Sequence, residues 1–429
     1  MSTTRARMGS TGWIRERGGR LPVGVSSRVH RTVRRRDPLL LRANINAKLQ
    51  RMFNLRRQAA LWLLMGWCGL GLPATGQRVA KYGADFLAGG VGGRALGMGG
   101  AYVALATDVD ATYWNPAGLS ALAYPEVAYM HAERFAGIVS FDYAALAWPL
   151  SATSTLGMAV FRSGVNDIKN TLNAWDPVRN RPRPQAESFI ETFSAADYAF
   201  YFSYARLLGE DLALGVSAKV VRRTIGDFAE AWGYSVDAGA RYRLGRFWLG
   251  VTVQDLSTML QSWSINPEAF ALETINPETG QPYTFEEAFG QELPKGGTYL
   301  VLPVLRLGTA YEQPLGLHRL VVAADVDVAF DGQRAYAVNV GDVSLHPRLG
   351  AEFWYRDVVA LRAGINRLAY SERFGLELTP TVGAGVRLRH LTIDYSFGDF
   401  AGLASELGFA HRLAVRFVLA RERWHRPDV

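Results

Sequence analysis

The feature of this chain that most limits its fold is a strict alternation of apolar and polar residues over long stretches. Residues 234–244, 381–389 and 391–398 each alternate without a break. A period of two residues is typical of a strand with one apolar and one polar face. In a soluble sandwich the apolar face would form the core, but strands there average about 5 or 6 residues. The strand-like stretches of the chain often run to 10–14 residues, which suits strands that cross a bilayer, because those need roughly 9–11.

Long membrane strands restrict the architecture to a closed barrel, because a closed sheet satisfies every backbone hydrogen bond in hydrocarbon. The sequence therefore predicts an all-β fold: an outer-membrane, up-and-down antiparallel β-barrel of about 14 strands, which covers residues 124–429. The expected strands lie near residues 125–135, 138–150, 155–168, 195–208, 212–226, 231–244, 246–257, 301–313, 318–330, 343–356, 358–371, 378–390, 391–400 and 408–420.

Two connections are predicted to be long, and they span residues 172–194 and 258–298. They follow the third and the seventh strand, so they lie on the same rim of the barrel. Barrels of this class have tight periplasmic turns and longer external loops. We therefore expect both long connections on the outer rim.

The net charge of +8 comes from the N-terminus, because residues 1–57 hold 14 Arg and 1 Lys against Glu16 and Asp37, a net of +13. The remainder carries 8 − 13 = −5. The part that is expected to fold is therefore mildly acidic, which argues against nucleic acid as a partner.

The N-terminal region has the pattern of a secretory signal. Arg56 and Arg57 precede the apolar stretch 59–72, and Ala74 and Gly76 give a small-x-small cleavage site. We interpret residues 52–76 as the signal peptide and residues 1–51 as a non-native or disordered basic extension, with Met52 as the natural start. The alternative is a basic tail followed by a short buried helix. The single cysteine, Cys68, lies in the signal, so the mature chain is expected to lack disulfides and thiolate metal sites.

Charged residues are expected on the inner face of the barrel. The candidates are Asp325, Asp327, Arg348, Glu352, Arg362, Arg387 and Arg389. They would form salt bridges across the lumen or line a substrate path. No nucleophile elbow, phosphate loop, metal-ligand spacing or catalytic carboxylate pair occurs, so we expect no catalytic residue, metal or cofactor, and no enzyme.

Residues 77–123, directly before the first strand, are predicted to form an N-terminal hatch inside the lumen. A barrel of about fourteen strands is too wide for its own side chains to fill, unlike one of about eight. The segment is rich in glycine, which allows close backbone contact with the wall. Asn115 and Pro116 would begin a tight turn that ends at Gly118.

This segment carries a resemblance to a known family. Its motif consists of Gly93, Arg94, Ala95, Gly97, Met98, Gly99, Gly100, Asp108, Tyr113, Trp114, Asn115, Pro116, Ala117 and Gly118. The motif resembles the N-terminal signature of the PorV/PorQ family, which is related to the FadL-type transporters of hydrophobic compounds. The rest of the chain matches only in strand count and architecture.

The resemblance implies a barrel in the outer membrane of a Gram-negative bacterium, in contact with membrane lipid. It implies a role as an accessory to type IX protein secretion or surface attachment, with secretion components and cargo proteins as partners. The alternative is FadL-like passive transport of long-chain fatty acids or other hydrophobic small molecules. An apolar site between hatch and wall would favour transport, and a lumen lined only by charged residues would exclude it.

Overall fold

The computed structural model describes residues 78–79, 85–135, 137–330, 338–341, 343–371, 375–399 and 409–419 of the 429-residue chain. The predicted basic extension (residues 1–51) and the predicted signal peptide (residues 52–76) lie outside the described residues. Both therefore stay predictions.

Fourteen antiparallel strands form one closed barrel in the described part of the chain, as predicted from the alternation. The strands are β1 Glu126–Arg134, β2 Val139–Pro149, β3 Ser154–Asn170, β4 Glu191–Leu208, β5 Leu212–Ile225, β6 Ala229–Leu244, β7 in the two segments Phe247–Gln254 and Met259–Ile265, β8 in the two segments Gly297–Val301 and Val304–Leu315, β9 His318–Ala329, β10 Val343–Tyr355, β11 Val359–Ser371, β12 Gly375–Leu388, β13 Leu391–Asp399 and β14 Phe409–Val418. Each strand pairs with the next. Residues 126–133 of β1 pair with residues 411–418 of β14, which closes the barrel.

The remaining elements are short. The helices are α1 Gly93–Gly97, α2 Ala111–Trp114 and α3 Phe285–Phe289, and 3-10 turns span Asp85–Gly89, Pro116–Ala121, Leu172–Ala174, Ala186–Phe189 and Pro267–Phe270. Short strands at Arg78–Val79, Trp175–Asp176, Arg181–Pro182 and Val338–Val340 add local pairs. Among the described residues, no helix is both long enough and apolar enough to cross a bilayer.

The connections divide into two rims. Those after even-numbered strands are short and include residues 150–153, 209–211, 245–246 and 316–317; this end is called the turn rim. Those after odd-numbered strands include residues 171–190 and 266–296; this end is called the loop rim. The second long loop is shorter than predicted, because β7 resumes at Met259 after a break. Asp255 (φ 54°) and Thr258 (φ 57°) make that break with left-handed backbone.

The two faces of the wall differ as the alternation predicts. In β4, Ala199, Tyr201, Ser203 and Ala205 are buried against the interior, and the residues between them are exposed on the outside. The interior is filled by residues 85–122, called here the N-terminal segment. From Phe86 to Leu122 every residue is buried except Ala88, Thr107 and Ala121. The core of the protein is therefore the contact between this segment and the inner wall.

Candidate functional site

The N-terminal segment folds through local backbone features that its glycines permit. Gly99 (φ 67°) and Gly100 (φ 75°) both adopt left-handed backbone, and the Gly100 amide donates to Ala95 O at 2.9 Å, which ends α1. A side chain at either position would be strained, since residues other than glycine rarely adopt this conformation. The chain can therefore turn sharply after α1 while it stays in contact with the wall.

The turn at Asn115 joins the segment to itself and to β6. The Asn115 side chain accepts from the Ala117 amide at 3.2 Å, and its Nδ2 donates to Val103 O at 3.0 Å and to Ala240 O at 3.1 Å. Trp114 is buried, and its Nε1 donates to Val91 O at 3.0 Å. The aromatic and amide residues of the predicted motif therefore pack the segment together.

Inward-facing glycines of the wall receive the segment. A Cβ added at any of them would lie within 3.1 Å of an atom of the segment. They lie on eight strands: Gly157, Gly215, Gly239, Gly250, Gly308, Gly350, Gly364 and Gly383. Protein interiors are packed at crystal-like density, so these positions leave no room for a side chain. We call this set the glycine ring.

Arg94 connects α1 to the wall through a chain of ion pairs. Its Nε and Nη2 donate to the two oxygens of Glu352 on β10, at 2.9 and 2.7 Å. Glu352 also accepts from Arg362 Nε at 2.7 Å, and Arg362 Nη1 donates to Asp394 at 2.7 Å. The side chains of Glu352 and Arg362 have no exposed surface. Buried charges are costly unless they are paired, so this network favours one position of α1.

A second polar group forms around Asp108 of the segment. The Tyr102 hydroxyl donates to Asp108 Oδ2 at 2.6 Å, Arg416 of β14 pairs with the same oxygen, and Arg94 lies 3.7 Å from it. Burial alone would raise the pKa of Asp108, but Arg416, Arg94 and the Tyr102 hydroxyl hold that pKa below its usual range. Asp108 is therefore a charged contact between segment and wall.

Asp110 differs from Asp108, because its Oδ1 is buried and has no hydrogen-bond partner among the described residues. Burial and the neighbouring Asp108 charge raise the pKa of Asp110 well above its usual range. A cavity of about 10 Å³ adjoins this carboxyl, with Gly92, Met130, Tyr143, Asp394 and Arg416 also in its lining. That volume admits about one water molecule, so it cannot hold a transported compound.

The predicted inner-face residues fall into two groups. The structure places Asp325, Asp327, Arg348, Glu352 and Arg362 on the inner wall, where all five are buried. Asp325 Oδ2 accepts from the Tyr102 and Val103 amides at 2.7 and 2.8 Å, and Asp327 accepts from Arg348 Nη2 at 2.6 Å. These side chains hold the N-terminal segment or each other. Whether any of them lies on a substrate path stays a prediction.

The other two predicted residues lie near the turn rim. Arg387 is half-buried on the inner side of β12, with its guanidinium 4.4 Å from the Trp354 ring centroid. The prediction for Arg389 is wrong. β12 ends at Leu388, so Arg389 lies in the turn at φ 50°, exposed and off the inner wall. Strand alternation says nothing about a residue once the strand has ended.

One buried group of charged residues inside the barrel was not predicted from the sequence. Lys219 of β5 is buried and pairs with Asp237 at 3.2 Å and with Asp255 at 2.7 Å. Lys219 and Asp237 are polar positions of alternating strands, so their inward direction is a signal that the sequence contains. Asp255 lies in the break of β7, which the alternation does not reveal. Within the described residues, no group of three or more His, Cys, Asp and Glu side chains is placed to hold a metal ion.

Aromatic side chains occupy the inner face of β2 to β4. They are Phe141, Tyr143, Phe161 and Tyr201, and all are buried. Phe86 of the N-terminal segment lies 6.1 Å from Phe161 between ring centroids. The interior is therefore not lined by charges alone, and aromatic contacts join the segment to one side of the wall.

The two long loops meet at the loop rim and also carry aromatic residues. The Glu273 amide donates to Asn173 Oδ1 at 2.9 Å, which joins the loops, and Arg183 donates to Thr274. Ring contacts with centroid distances of 4.8–6.4 Å connect Trp175, Phe289, Phe285, Phe270, Phe228 and Phe193 in that order. We call these six residues the aromatic cap. All six are half-buried, so part of each ring meets solvent.

No protein-family model matches the chain, and no curated protein matches it. Similar solved structures include the toluene transporter TodX of Pseudomonas putida, with 15% identity over 76% of this chain and 97% of that chain and a TM-score of 0.49. The toluene transporter TbuX of Ralstonia pickettii has 13% identity over 78% and 99% and a TM-score of 0.47. A FadL homologue of Pseudomonas aeruginosa has 13% identity over 76% and 98% and a TM-score of 0.44.

At TM-scores of 0.49 and lower, these likenesses carry no argument about what this chain binds or moves. The comparisons also lend no support to the PorV/PorQ resemblance of the N-terminal segment. A function has to follow from the residues of this chain.

Proposed function

We propose that this protein is an outer-membrane barrel that passes hydrophobic small molecules, with the N-terminal segment as a hatch that must shift for passage. The observation that carries the proposal is the succession of aromatic groups from the loop rim into the lumen. The aromatic cap lies at the mouth, and Phe86, Phe161 and Phe141 follow inside. Ligand sites for apolar compounds are lined mainly by hydrophobic and aromatic side chains.

One polar pair separates the two aromatic groups. Arg223 Nε donates to Asp197 Oδ1 at 2.7 Å, and its guanidinium lies 5.5 Å from the Phe86 ring and 5.4 Å from the Trp263 ring. A flat guanidinium stacked on aromatic faces still presents an apolar surface along its plane. We infer that a hydrophobic compound moves past this layer along the rings of Phe86 and Trp263.

The outer surface supports a place in a membrane. Large apolar side chains are exposed on the outside of strands around the barrel, for example Phe202 (53%), Tyr234 (57%) and Leu361 (60%). Exposed apolar surface of this extent is rare on soluble monomers. A barrel that follows a predicted signal peptide and turns such a face outward fits the outer membrane of a Gram-negative bacterium.

Passage requires the N-terminal segment to move. The segment contacts wall glycines on eight strands, and the cavity beside Asp110 has only about 10 Å³. A compound the size of a benzene ring occupies roughly ten times that volume. The cavity beside Asp110 gives no passage of that size in the described part of the chain, so we infer that passage requires the contacts of Arg94, Asp108 or Tyr102 with the wall to break.

The role in protein export that the sequence resemblance implied is not proposed. No contact of the described residues favours it. Secretion components and cargo proteins are therefore left out of the proposed partners.

Uptake by cells tests the proposal. A Gram-negative host without its own channel for such compounds would produce the full chain, and uptake of a radiolabelled monoaromatic hydrocarbon and of a long-chain fatty acid would be measured. We expect faster uptake than in cells with an empty vector, and slower uptake for the double variant Trp175→Ala/Phe289→Ala. The control is Phe200→Ala, an outward residue of β4. Uptake equal to the empty vector for both compounds contradicts the proposal.

A further inference from the structure

The outer face of β1 to β3 carries a group of charged and titratable side chains. His131 is opposite Asp142, and Asp142 is opposite Arg162, so the three lie in one row across the strands. Asp142 Oδ1 lies 2.8 Å from His131 Nδ1, and Asp142 Oδ2 accepts from Arg162 Nη1 at 3.2 Å. We call these three residues the outer ionic cluster.

The cluster lies on the outside of the wall. Its neighbours along the strands, Phe141 and Phe161, are buried inside the barrel, and successive side chains of a strand point to opposite faces. The cluster side chains are partly exposed: 42% for His131, 27% for Asp142 and 30% for Arg162. They therefore face whatever surrounds the barrel.

Between the turn rim and the outer ionic cluster, the outside of β2 and β3 carries only a short strip of apolar side chains, called here the apolar strip. Counted from the turn rim, the outward residues of β3 are the polar Ser154 and then the apolar Leu156, Met158 and Val160, and Arg162 follows. On β2 they are Trp148, Leu146 and Ala144, and Asp142 follows. Three strands from β1 across the closure of the barrel, β12 presents Leu388, Val386, Ala384, Val382, Pro380 and Leu378 without a charge.

These residue counts give apolar strips of two different heights along the membrane normal. A strand rises about 3.3 Å per residue and is tilted by roughly 35–45° in such barrels, so each residue adds about 2.5 Å of height. The strip on β3 is then about 15 Å high and the strip on β12 about 30 Å, against a usual band of about 25 Å. Tilting the barrel cannot lengthen the short side, because both ends of that strip are polar.

We propose that the bilayer is locally thin beside β1 to β3, with lipid headgroups and water reaching the outer ionic cluster. At full bilayer thickness Asp142 and Arg162 would lie in hydrocarbon, where charges are costly, whereas a bilayer adapts to a short protein by thinning at modest cost. The partner of this surface is therefore the polar layer of the membrane.

The surface above the cluster favours headgroups over a second protein. Beyond Arg162, the exposed residues of β3 are Asn166, Asp167 and Lys169, so the exposed surface of this strand is polar up to the loop rim, whereas Ile138 in the β1–β2 connection is exposed and apolar. That continuity is expected where the headgroup layer begins at the cluster. A contact with a second copy of the chain would instead place the charges in a patch bounded by apolar residues. The inference rests on the barrel's crossing a bilayer and not on what it carries.

Depth-dependent fluorescence quenching tests the proposal. Val160 and Ala384 are each the third outward apolar residue from the turn rim. In a Cys68→Ser background, Val160→Cys or Ala384→Cys would carry an environment-sensitive dye, and the full chain would be reconstituted in phosphatidylcholine vesicles with bromine at defined acyl-chain depths. With strip heights of about 15 and 30 Å, we expect the dye at 160 to lie about 10 Å shallower than the dye at 384.

A second variant separates the cluster from other causes of thinning. Replacing all three cluster residues with leucine extends the apolar strip and should move the dye at 160 several ångströms deeper. The control Asp142→Asn/Arg162→Gln keeps the surface polar and should leave its depth unchanged.

Three results would overturn the proposal. Equal depth at 160 and 384 means that the bilayer keeps its thickness. Quenching at 384 but none by lipid or by aqueous iodide at 160 means that a second protein covers the cluster. No lipid quenching at either position means that the barrel does not cross the bilayer, a result that also contradicts the proposed location but is distinct from a failure of uptake.

Discussion

Gly250 on β7 gives a direct test of how the N-terminal segment is held. It belongs to the glycine ring and faces the segment where the chain passes Val103 and Ala104. A Cβ at this position would lie 2.6 Å from Val103 O, 2.7 Å from Val103 C and 2.8 Å from Ala104 Cα. All three are backbone atoms, so no rotation of a side chain relieves the contact. Gly250→Ala must push the segment away from β7 or shift the strand.

The size of the effect follows from that overlap. Carbon atoms pack best at about 3.5–4.0 Å, so the segment would have to move by roughly 1 Å at this point. Overpacking of a buried site by one methyl group costs about 1–3 kcal/mol. A loss of about 2 kcal/mol lowers the ratio of seated to displaced segment by a factor of about 30. That change is large enough to measure and small enough for the barrel to remain folded.

The assay is ion conductance of single barrels in planar bilayers, with resistance of the segment to protease as a second reading. We expect the fraction of time in a conducting state to rise by about an order of magnitude for Gly250→Ala. The control is Gly297→Ala on β8, where an added Cβ meets no atom within 4 Å. It makes the same chemical change outside the glycine ring.

If Gly250→Ala and Gly297→Ala behave alike in both readings, the glycine ring does not hold the segment in the lumen. If both variants fail to insert, the heat-induced mobility shift of the folded barrel on gels would show it, and the comparison would be repeated at Gly308, which faces Val103 from β8.

Three further variants address the remaining contacts of the segment. Arg94→Ala leaves the buried Glu352 with one partner fewer, so we expect the seated segment to lose about 3–5 kcal/mol of stability and to become sensitive to protease. The control is Arg179→Ala, which removes a loop ion pair whose arginine side chain is 63% exposed and should change stability by less than about 1 kcal/mol. Equal protease sensitivity of the two variants would contradict the role of Arg94. Asp110→Asn tests the raised pKa of Asp110. In the wild type, the contribution of this carboxyl to the free energy of unfolding is fully present below its ordinary pKa of about 4, and it is lost as pH rises through the raised pKa because the buried carboxyl must then ionise. Thermal unfolding at a series of pH values should therefore show a gain for the asparagine variant that grows upward from about pH 4, and a gain independent of pH would refute the assignment. Gly99→Val places a branched side chain at φ 67°, with the Cβ 2.7 Å from Ile365 backbone atoms, and should raise conductance as Gly250→Ala does; unchanged conductance would mean that the segment has room beside β11.

The barrel was predictable because its signal is local. A period of two residues depends only on the strand that carries it, and fourteen strands follow from counting such runs between turns. For the same reason both long loops were correctly predicted to share one rim, and their place on the outer side stays a prediction. Even the inward direction of Asp325, Asp327 and Glu352 follows from their positions within strands that do not break.

Features that depend on where a strand is interrupted or ends, or on which residues meet once the barrel has closed, were not predictable from the sequence. β7 is interrupted at Asp255–Thr258 and then continues, which the alternation does not show because the register is lost there. Arg389 was assigned to the lumen because the strand was predicted to continue to residue 390, two residues beyond its end at Leu388. The glycine ring was missed because Gly250 and Gly364 look like ordinary small residues until the strands are closed around the N-terminal segment.

The role of the N-terminal motif was only partly accessible. Its glycines predict close contact with the wall, and Arg94 and Asp108 make that contact through ion pairs. The family resemblance favoured protein export, and the residues of the described structure favour transport. The motif determines how the N-terminal segment fills the lumen. It does not indicate which molecules pass when the segment moves.

The central claim is that hydrophobic molecules cross through the lumen when the N-terminal segment moves, and a reversible lock tests it most directly. Val103→Cys and Gly308→Cys would join the segment to β8. The Val103 Cβ and a Cβ at Gly308 lie 3.0 Å apart, and the displacement of roughly 1 Å that a side chain in the glycine ring causes brings this separation to the roughly 3.5–4.5 Å of a disulfide. Before oxidation the loosened segment should let hydrocarbon pass at least as fast as in the wild type. We predict that uptake of a labelled hydrocarbon stops in oxidised cells and returns with a membrane-permeant reductant, whereas each single variant is unaffected by oxidation. Uptake that continues with the disulfide formed would contradict the account, since the compound would then cross by a route that does not need the segment to move.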